Sequence, residues 1–290
     1  MSGAAIAVAA PSRRGWRQRL TGATPYLLLA PGLLWLVVFF IWPTIQMFLM
    51  SLSSGSLDDG FKLTWSIDAY QTAFGKFPKQ MGNSLLYGGL ATIFDFLIGF
   101  PVAYTVAFRG GRYKNLLLFL VIAPFFTSFL IRTISWKTLL GDEGPVLGFL
   151  KHALGVVPAD FTVIGTPIAV VAGLTYNFLP FMILPLYVAL EKIDPRLIEA
   201  ANDLYANRWA AFRRVTMPLL KPALMAESSI AFVAALGDFV TSIVLYTYDN
   251  RPISIEIMSS LRVNEIGVAA AFGVILMLVS AAVLGVGARR

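Results

Sequence analysis

The sequence contains no cysteine, which excludes disulfides and thiolate metal sites. It has one histidine, His152, so no imidazole cluster can gather around a metal. Charge is scarce too: Asp, Glu, Lys and Arg make up 13% of the 290 residues, about half of what a water-covered surface needs. No G-x-x-x-x-G-K-[ST] phosphate loop occurs, so the chain has no P-loop of its own for nucleotide hydrolysis. H-E-x-x-H and G-x-S-x-G are also missing, which leaves zinc-peptidase and α/β-hydrolase chemistry without a signature. No metal, cofactor or catalytic residue is expected.

What is there is apolar. Hydrophobic residues reach 57% and the mean hydropathy is +0.73, so lipid must cover much of the surface. A membrane-spanning helix needs roughly 20 mostly apolar residues. Six runs qualify, at about Pro25 to Leu49, Leu85 to Phe108, Leu116 to Leu139, Pro167 to Leu190, Ala223 to Tyr246 and Ile266 to Gly287. The first is much longer than a signal-peptide core and no A-x-A site closes it, so it is expected to be retained. The expected fold is all-α: a polytopic membrane protein of six transmembrane helices following a tail over residues 1–24.

A net charge of +7 would suggest nucleic acid in a soluble protein. Here the basic residues sit at the ends of apolar runs, where they set membrane orientation, and no nucleic-acid partner is expected. Arg13, Arg14, Arg17 and Arg19 precede the first run. Arg109, Arg112 and Lys114 follow the second, and Lys192, Arg196, Arg208, Arg213, Arg214 and Lys221 lie between the fourth and fifth. Arg289 and Arg290 follow the sixth. The alternate loops carry the acids Asp58, Asp59, Asp68, Asp142, Glu143, Asp160, Asp249, Glu256 and Glu265. Both termini are therefore expected in the cytoplasm.

The segment from Glu191 to Pro218 is then cytoplasmic. Asp194 before Pro195 reads as a helix cap followed by a first-turn proline. Leu197, Ala200, Ala201 and Leu204 follow at helical spacing. Pro218 and Pro222 are expected to stop the segment before the fifth run. Taken alone, such a helix is equally an interfacial one lying among headgroups.

Its residues carry a resemblance. Glu199, Ala200 and Ala201 begin a pattern similar to the EAA loop of ABC importer permeases, which reads Glu-Ala-Ala, three residues, Gly, nine residues, Ile, one residue, Leu-Pro. Val215, Met217 and Pro218 stand at the Ile, Leu and Pro positions with the spacing intact. Tyr205 replaces the Gly that permits a bend, and Asn207 is the nearby residue suited to a left-handed substitute. Ala123 to Trp136, Tyr176 to Asp194 and Ala235 to Thr241 resemble the spermidine/putrescine-type permeases. After Thr241 the likeness fades.

The resemblance implies a pore subunit of an ATP-driven importer in a bacterial inner membrane. Its partners would be a second permease subunit, two cytoplasmic ATPases and an extracytoplasmic solute-binding protein. Glu199, Ala200, Ala201, Tyr205, Val215, Met217 and Pro218 would couple it to the ATPase. A polyamine is the favoured solute, with a sugar, thiamine, iron or an amino-acid derivative as alternatives. An ion-coupled secondary transporter is a competing class, but no internal repeat of the kind those folds carry is visible.

Charges at membrane depth are costly and mark paths or helix contacts. Asp95, Glu227 and Asp238 are such acids. Arg132 and Trp136 sit near the outer end of the third run. These five residues are the expected lining of the translocation path. Alternatively the acids are helix-to-helix hydrogen-bond partners, with Arg132 or Lys137 pairing to Asp238.

Overall fold

The computed structural model describes residues 28–56, 60–155, 157–158, 160–205, 207–246 and 251–288. The N-terminal tail with its four arginines, Asp58, Asp59, Asp249, Arg289 and Arg290 lie outside the described residues. The chain divides into two compact units, Met1–Leu49 and Met50–Arg290.

Among the described residues, five helices are long and apolar enough to cross a membrane, or six if one bent pair counts as a single span. The first, α1, is Leu28–Ser51. Residues 28–49 of it belong to the smaller unit. A wide helical turn at Val37–Ile41, with the Trp42 N–H reaching back to the Val37 carbonyl, precedes Pro43. Proline has no N–H and its ring crowds the carbonyl four residues back. A turn of i→i+5 bonds just before it shifts that carbonyl aside.

The larger unit opens on a hairpin that the all-α expectation lacked. Strands β1, Ser53–Ser56, and β2, Gly60–Leu63, pair antiparallel with Ser53 opposite Leu63. Helix α2, Asp68–Lys76, follows. Helix α3, Pro78–Arg109, buries Ser84, Tyr87, Gly88, Ala91, Asp95, Gly99, Ala103 and Val106, a stripe of three- and four-residue steps. The stripe is mostly small, as membrane helices need for close packing. Leu97, Ile98 and Phe94 face outward.

The expected third span is broken. Gly111–Phe126, α4, and Phe129–His152 meet at 95°. Pro124 begins the break, and Thr127 and Ser128 are extended. The regular part of the second arm is α5, Phe129–Leu140. Helix α6, Pro167–Glu191, is the centre of the bundle and packs along α3. Helix α7, Pro195–Tyr205, leads to α8, Trp209–Gly237, which packs on both α3 and α6. Helices α9, Val240–Leu245, α10, Ile253–Arg262, and α11, Ile266–Ala288, complete the chain.

Two further expectations are corrected. Pro218 and Pro222 do not stop a helix, because α8 runs through both. A π-turn at Phe212–Thr216, with Met217 N–H bonded to Phe212 O, accommodates Pro218 as the turn in α1 accommodates Pro43. The fifth span does break, but later, at Gly237–Phe239, where Asp238 turns extended.

Three buried clusters hold the larger unit. Met182, Leu186 and Leu190 of α6 meet Ala103, Val106 and Leu220 near the loop that joins α6 to α8. At the other end Val170, Leu174 and Phe178 meet Tyr87, Ala91, Ala235 and Leu245. Ala73, Ile253, Phe272 and Ile275 form the third cluster.

Candidate functional site

The segment between α6 and α8 folds from its caps. The Asp194 carboxylate accepts the Arg196 N–H at 2.9 Å and starts α7 as the sequence requires. Asn207 does the same for α8, accepting the Trp209 N–H at 2.9 Å. Asn207 is thus a helix cap and not the left-handed residue expected of it. Among the described residues only Trp65 and Asn264 have positive φ without being glycine. The physical reason is that a new helix begins one residue later and needs an acceptor at its first turn.

Within α7, Glu199 and Ala200 are exposed and Ala201 is buried. Ala201 and Ala211 are each buried where α7 packs on the start of α8. Val215 and Met217 are half-buried and Pro218 is exposed. Helix α7 ends at Tyr205. The loop also presents apolar side chains: Leu204, at the end of the spaced face, is 79% exposed, and Trp209, which the sequence did not single out, is 66% exposed. At its root Lys114 and Glu191 pair at 2.5 Å, tying α4 to α6.

The second constellation surrounds the break after α8. The Asp238 carboxylate accepts N–H bonds from Val240 at 2.9 Å and Thr241 at 3.2 Å, so it caps α9. The Thr241 hydroxyl donates to its second oxygen. Ser242 and Ser254 donate their hydroxyls to the Asp238 carbonyl, at 2.9 and 3.3 Å.

Asn177, inside the apolar α6, donates its amide to the Thr241 hydroxyl at 2.9 Å and to Thr133 at 3.4 Å. Both hydroxyl protons are already given away, to Asp238 and to the Phe129 carbonyl. The hydroxyls can therefore only accept, and this fixes the amide orientation. The Asn177 Oδ1 is left with no hydrogen-bond partner among the described residues.

Arg132 and Asp238 line one cavity of about 400 Å³ with Asn177, Phe125, Phe129, Phe178 and Phe181. They do not pair. Three donors already hold Asp238, while Arg132 donates to the Pro124 carbonyl at 3.0 Å. Its guanidinium lies over the Phe125, Phe129 and Tyr176 rings at 5.3, 5.5 and 5.7 Å. Lys137 makes no ion pair with Asp238 either. Trp136 packs edge-on to Tyr176 at 5.2 Å and lines an adjoining cavity of about 310 Å³ that shares Arg132.

The other two acids lie elsewhere. Asp95 is 0% exposed on the packed face of α3, and neither carboxylate oxygen has a hydrogen-bond partner among the described residues. Glu227 faces a cavity of about 880 Å³ with Lys192, Asp194, Leu197 and Pro222, beside the root of α7.

One buried pair escaped the sequence reading. Glu256 of α10, 2% exposed, pairs with Arg251. Burial pushes the Glu256 carboxyl above the usual carboxylate range, against the lowering pull of Arg251. The Ser84 hydroxyl accepts the Ile253 N–H at 2.7 Å, which fixes the start of α10 to α3.

The sequence profile of the binding-protein-dependent transport system inner membrane component family matches residues 82–289, from early in α3 to the end of α11. The chain belongs to this family. The permease is 39% identical over 206 residues to the spermidine/putrescine transport system permease protein PotB of Haemophilus influenzae, covering 71% of this chain and 72% of that one. It is 34% identical over 209 residues to PotB of Escherichia coli K12, covering 72% and 76%. A probable molybdenum ABC transporter permease protein of Haloferax volcanii is 31% identical over 201 residues, covering 69% and 70%. In fold it is similar to a chain of a bacterial ABC transporter involved in the import of the acidic polysaccharide alginate. That likeness has a TM-score of 0.76 at 22% identity, covering 95% of this chain and 97% of that one. The permease is a multi-pass inner-membrane transport component.

Proposed function

We propose that this permease is one of two pore subunits of an importer that carries a polyamine, driven by two separate cytoplasmic ATPases and fed by an extracytoplasmic binding protein. The observation that carries the reading is the 34–39% identity to permeases named for spermidine and putrescine. The sequence has no phosphate loop, so the motor must be borrowed. Both termini and the α7 segment face the cytoplasm in this reading, on the basic-residue distribution. Glu199, Ala200, Ala201, Tyr205, Val215, Met217 and Pro218 form the coupling loop, and exposed Leu204 and Trp209 extend its apolar face.

The path runs past the cavity at the α8–α9 break. Asp238 supplies negative charge, Asn177 Oδ1 an acceptor, and the phenylalanine rings faces suited to an ammonium group. Trp136 and Tyr176 continue the wall. Arg132 at the same cavity repels a cation and acts as a barrier to leak. Asp95 and Glu227 belong to the helix packing and the loop root in this assignment.

The guanidinium and the molybdenum-named relative favour a second reading, a permease for an oxyanion. One experiment separates the two. The permease is co-purified with its partner subunits, reconstituted with ATP inside vesicles, and given labelled putrescine and spermidine with the binding protein outside. ATP-dependent uptake of either polyamine, not reduced by excess molybdate, is expected. Uptake of molybdate alone would replace the polyamine reading with the second.

A further inference from the structure

The loop at the end of the bundle touches α3 through the Phe212 side chain. Phe212 lies at the head of the π-turn in α8. Its ring meets Phe100 edge-on at 5.7 Å and Tyr104 edge-on at 6.3 Å. Phe100 and Tyr104 are four residues apart and therefore neighbours on one face of α3. Trp209, one turn before Phe212, stacks on it at 5.4 Å. Four rings thus connect an indole that is 66% exposed on the loop to the interior of a membrane-spanning helix.

Both helices depart from regular α-helical bonding where these rings meet. In α8 the contact falls on the π-turn, whose backbone bonds reach five residues instead of four. In α3, Pro101 follows Phe100 directly and removes one backbone bond of the ladder. Beside these rings on α3, Gly99 lets Ile183 and Met182 of α6 come so close that an added Cβ would sit 3.2 Å from each. That contact holds α3 against α6 at the level of the rings. A push from the ring side has one compliant place to act, at Pro101. An inert packing contact has no need to coincide with a break in both helices.

We propose that Phe212, seated between Phe100 and Tyr104, is the positioning residue that transmits movement of the α7–α8 loop to α3 and bends it at Pro101. The proposal rests on the importer reading above, because only a subunit with a separate motor has loop movement to transmit. Trp209 is the outer contact of the relay, Phe212 its joint, and the Phe100–Tyr104 pair its receiver.

The test uses the full complex in proteoliposomes, with ATP and labelled putrescine as probes. The Phe212→Ala complex is expected to retain its ATPase at the wild-type ratio and to keep hydrolysing ATP. Uptake per ATP hydrolysed should fall about tenfold, the change that follows from losing about 1.4 kcal/mol of ring contact. Phe212→Tyr should restore it. Phe100→Ala should give the same fall, and the double variant should be no worse than either single one, because both remove one link. Unchanged uptake per ATP in an assembled Phe212→Ala complex would overturn the proposal. So would losses that multiply in the double variant. If Phe212→Ala does not assemble, Phe100→Leu, distant from the loop in sequence, reads the same ratio, and wild-type coupling there refutes the relay. A wild-type chain that brings down no ATPase would sink the importer reading, and the relay with it. That failure is seen before any variant is made.

Discussion

Asn177 of α6 reaches the Thr241 hydroxyl of α9 at 2.9 Å, tying the middle of the central helix to the far side of the break in the fifth span. The bond lies within a buried chain that runs from Asn177 through Thr241 to the Asp238 carboxylate. Asn177→Leu keeps the volume and removes the donor. It is expected to cost about 1 kcal/mol from the lost hydrogen bond and to lower the unfolding midpoint in detergent. A midpoint equal to wild type would show that α9 is held without this tie.

Asp238 has two separable duties, cap and charge. Asp238→Ala removes the cap from α9 and should destabilise the protein by about 0.5–2 kcal/mol. Asp238→Asn keeps an acceptor for the Val240 and Thr241 N–H groups and should assemble normally. If the charge serves a cationic solute, the Asn variant transports polyamine poorly at normal assembly. Full uptake by Asp238→Asn would reduce Asp238 to a cap.

Gly173 sits where α9 crosses α6. A Cβ there would lie 2.5 Å from the Leu245 Cδ1 and 2.7 Å from the Thr241 Cγ2. Gly173→Ala is therefore expected to force the two helices apart, at about 1–3 kcal/mol of overpacking. Thermal unfolding measures the cost. Uptake should fall along with stability, since Thr241 is bonded to Asp238.

Glu199 is exposed on α7 and, in the coupling reading, faces the ATPase. Glu199→Lys should leave insertion and the permease fold intact and reduce the ATPase recovered on co-purification. Equal recovery, with equal solute-stimulated hydrolysis, would remove Glu199 from the dock.

The long apolar runs were legible because lipid imposes length and composition together, and Pro167–Glu191 falls nearly where the sequence put it. Breaks were less legible. The third run was expected to continue through Pro124, where the structure breaks it, and Pro218 was expected to stop a helix that continues, since a π-turn absorbs it. The break at Asp238 was read as an acid on a continuous helix, because sequence does not distinguish a carboxylate on a helix face from one that caps the next helix. Asn177 stood out as an amide within an apolar run and was still passed over. Its partner Thr241 is 64 positions away, a separation that periodicity cannot bridge. Phe212 was hidden for the same reason, its receivers lying on α3.

The uninterrupted helix Trp209–Gly237 has 29 residues, a contour of about 43 Å at 1.5 Å per residue. It begins beside the exposed indole and ends one residue before Asp238. A tilt of about 5° at the loop end of a helix that long displaces the far end by about 4 Å, more than the diameter of a water molecule. The proline that seemed to separate the two regions lies inside the helix that joins them, so a small rotation at the loop end is a larger displacement at the Asp238 end.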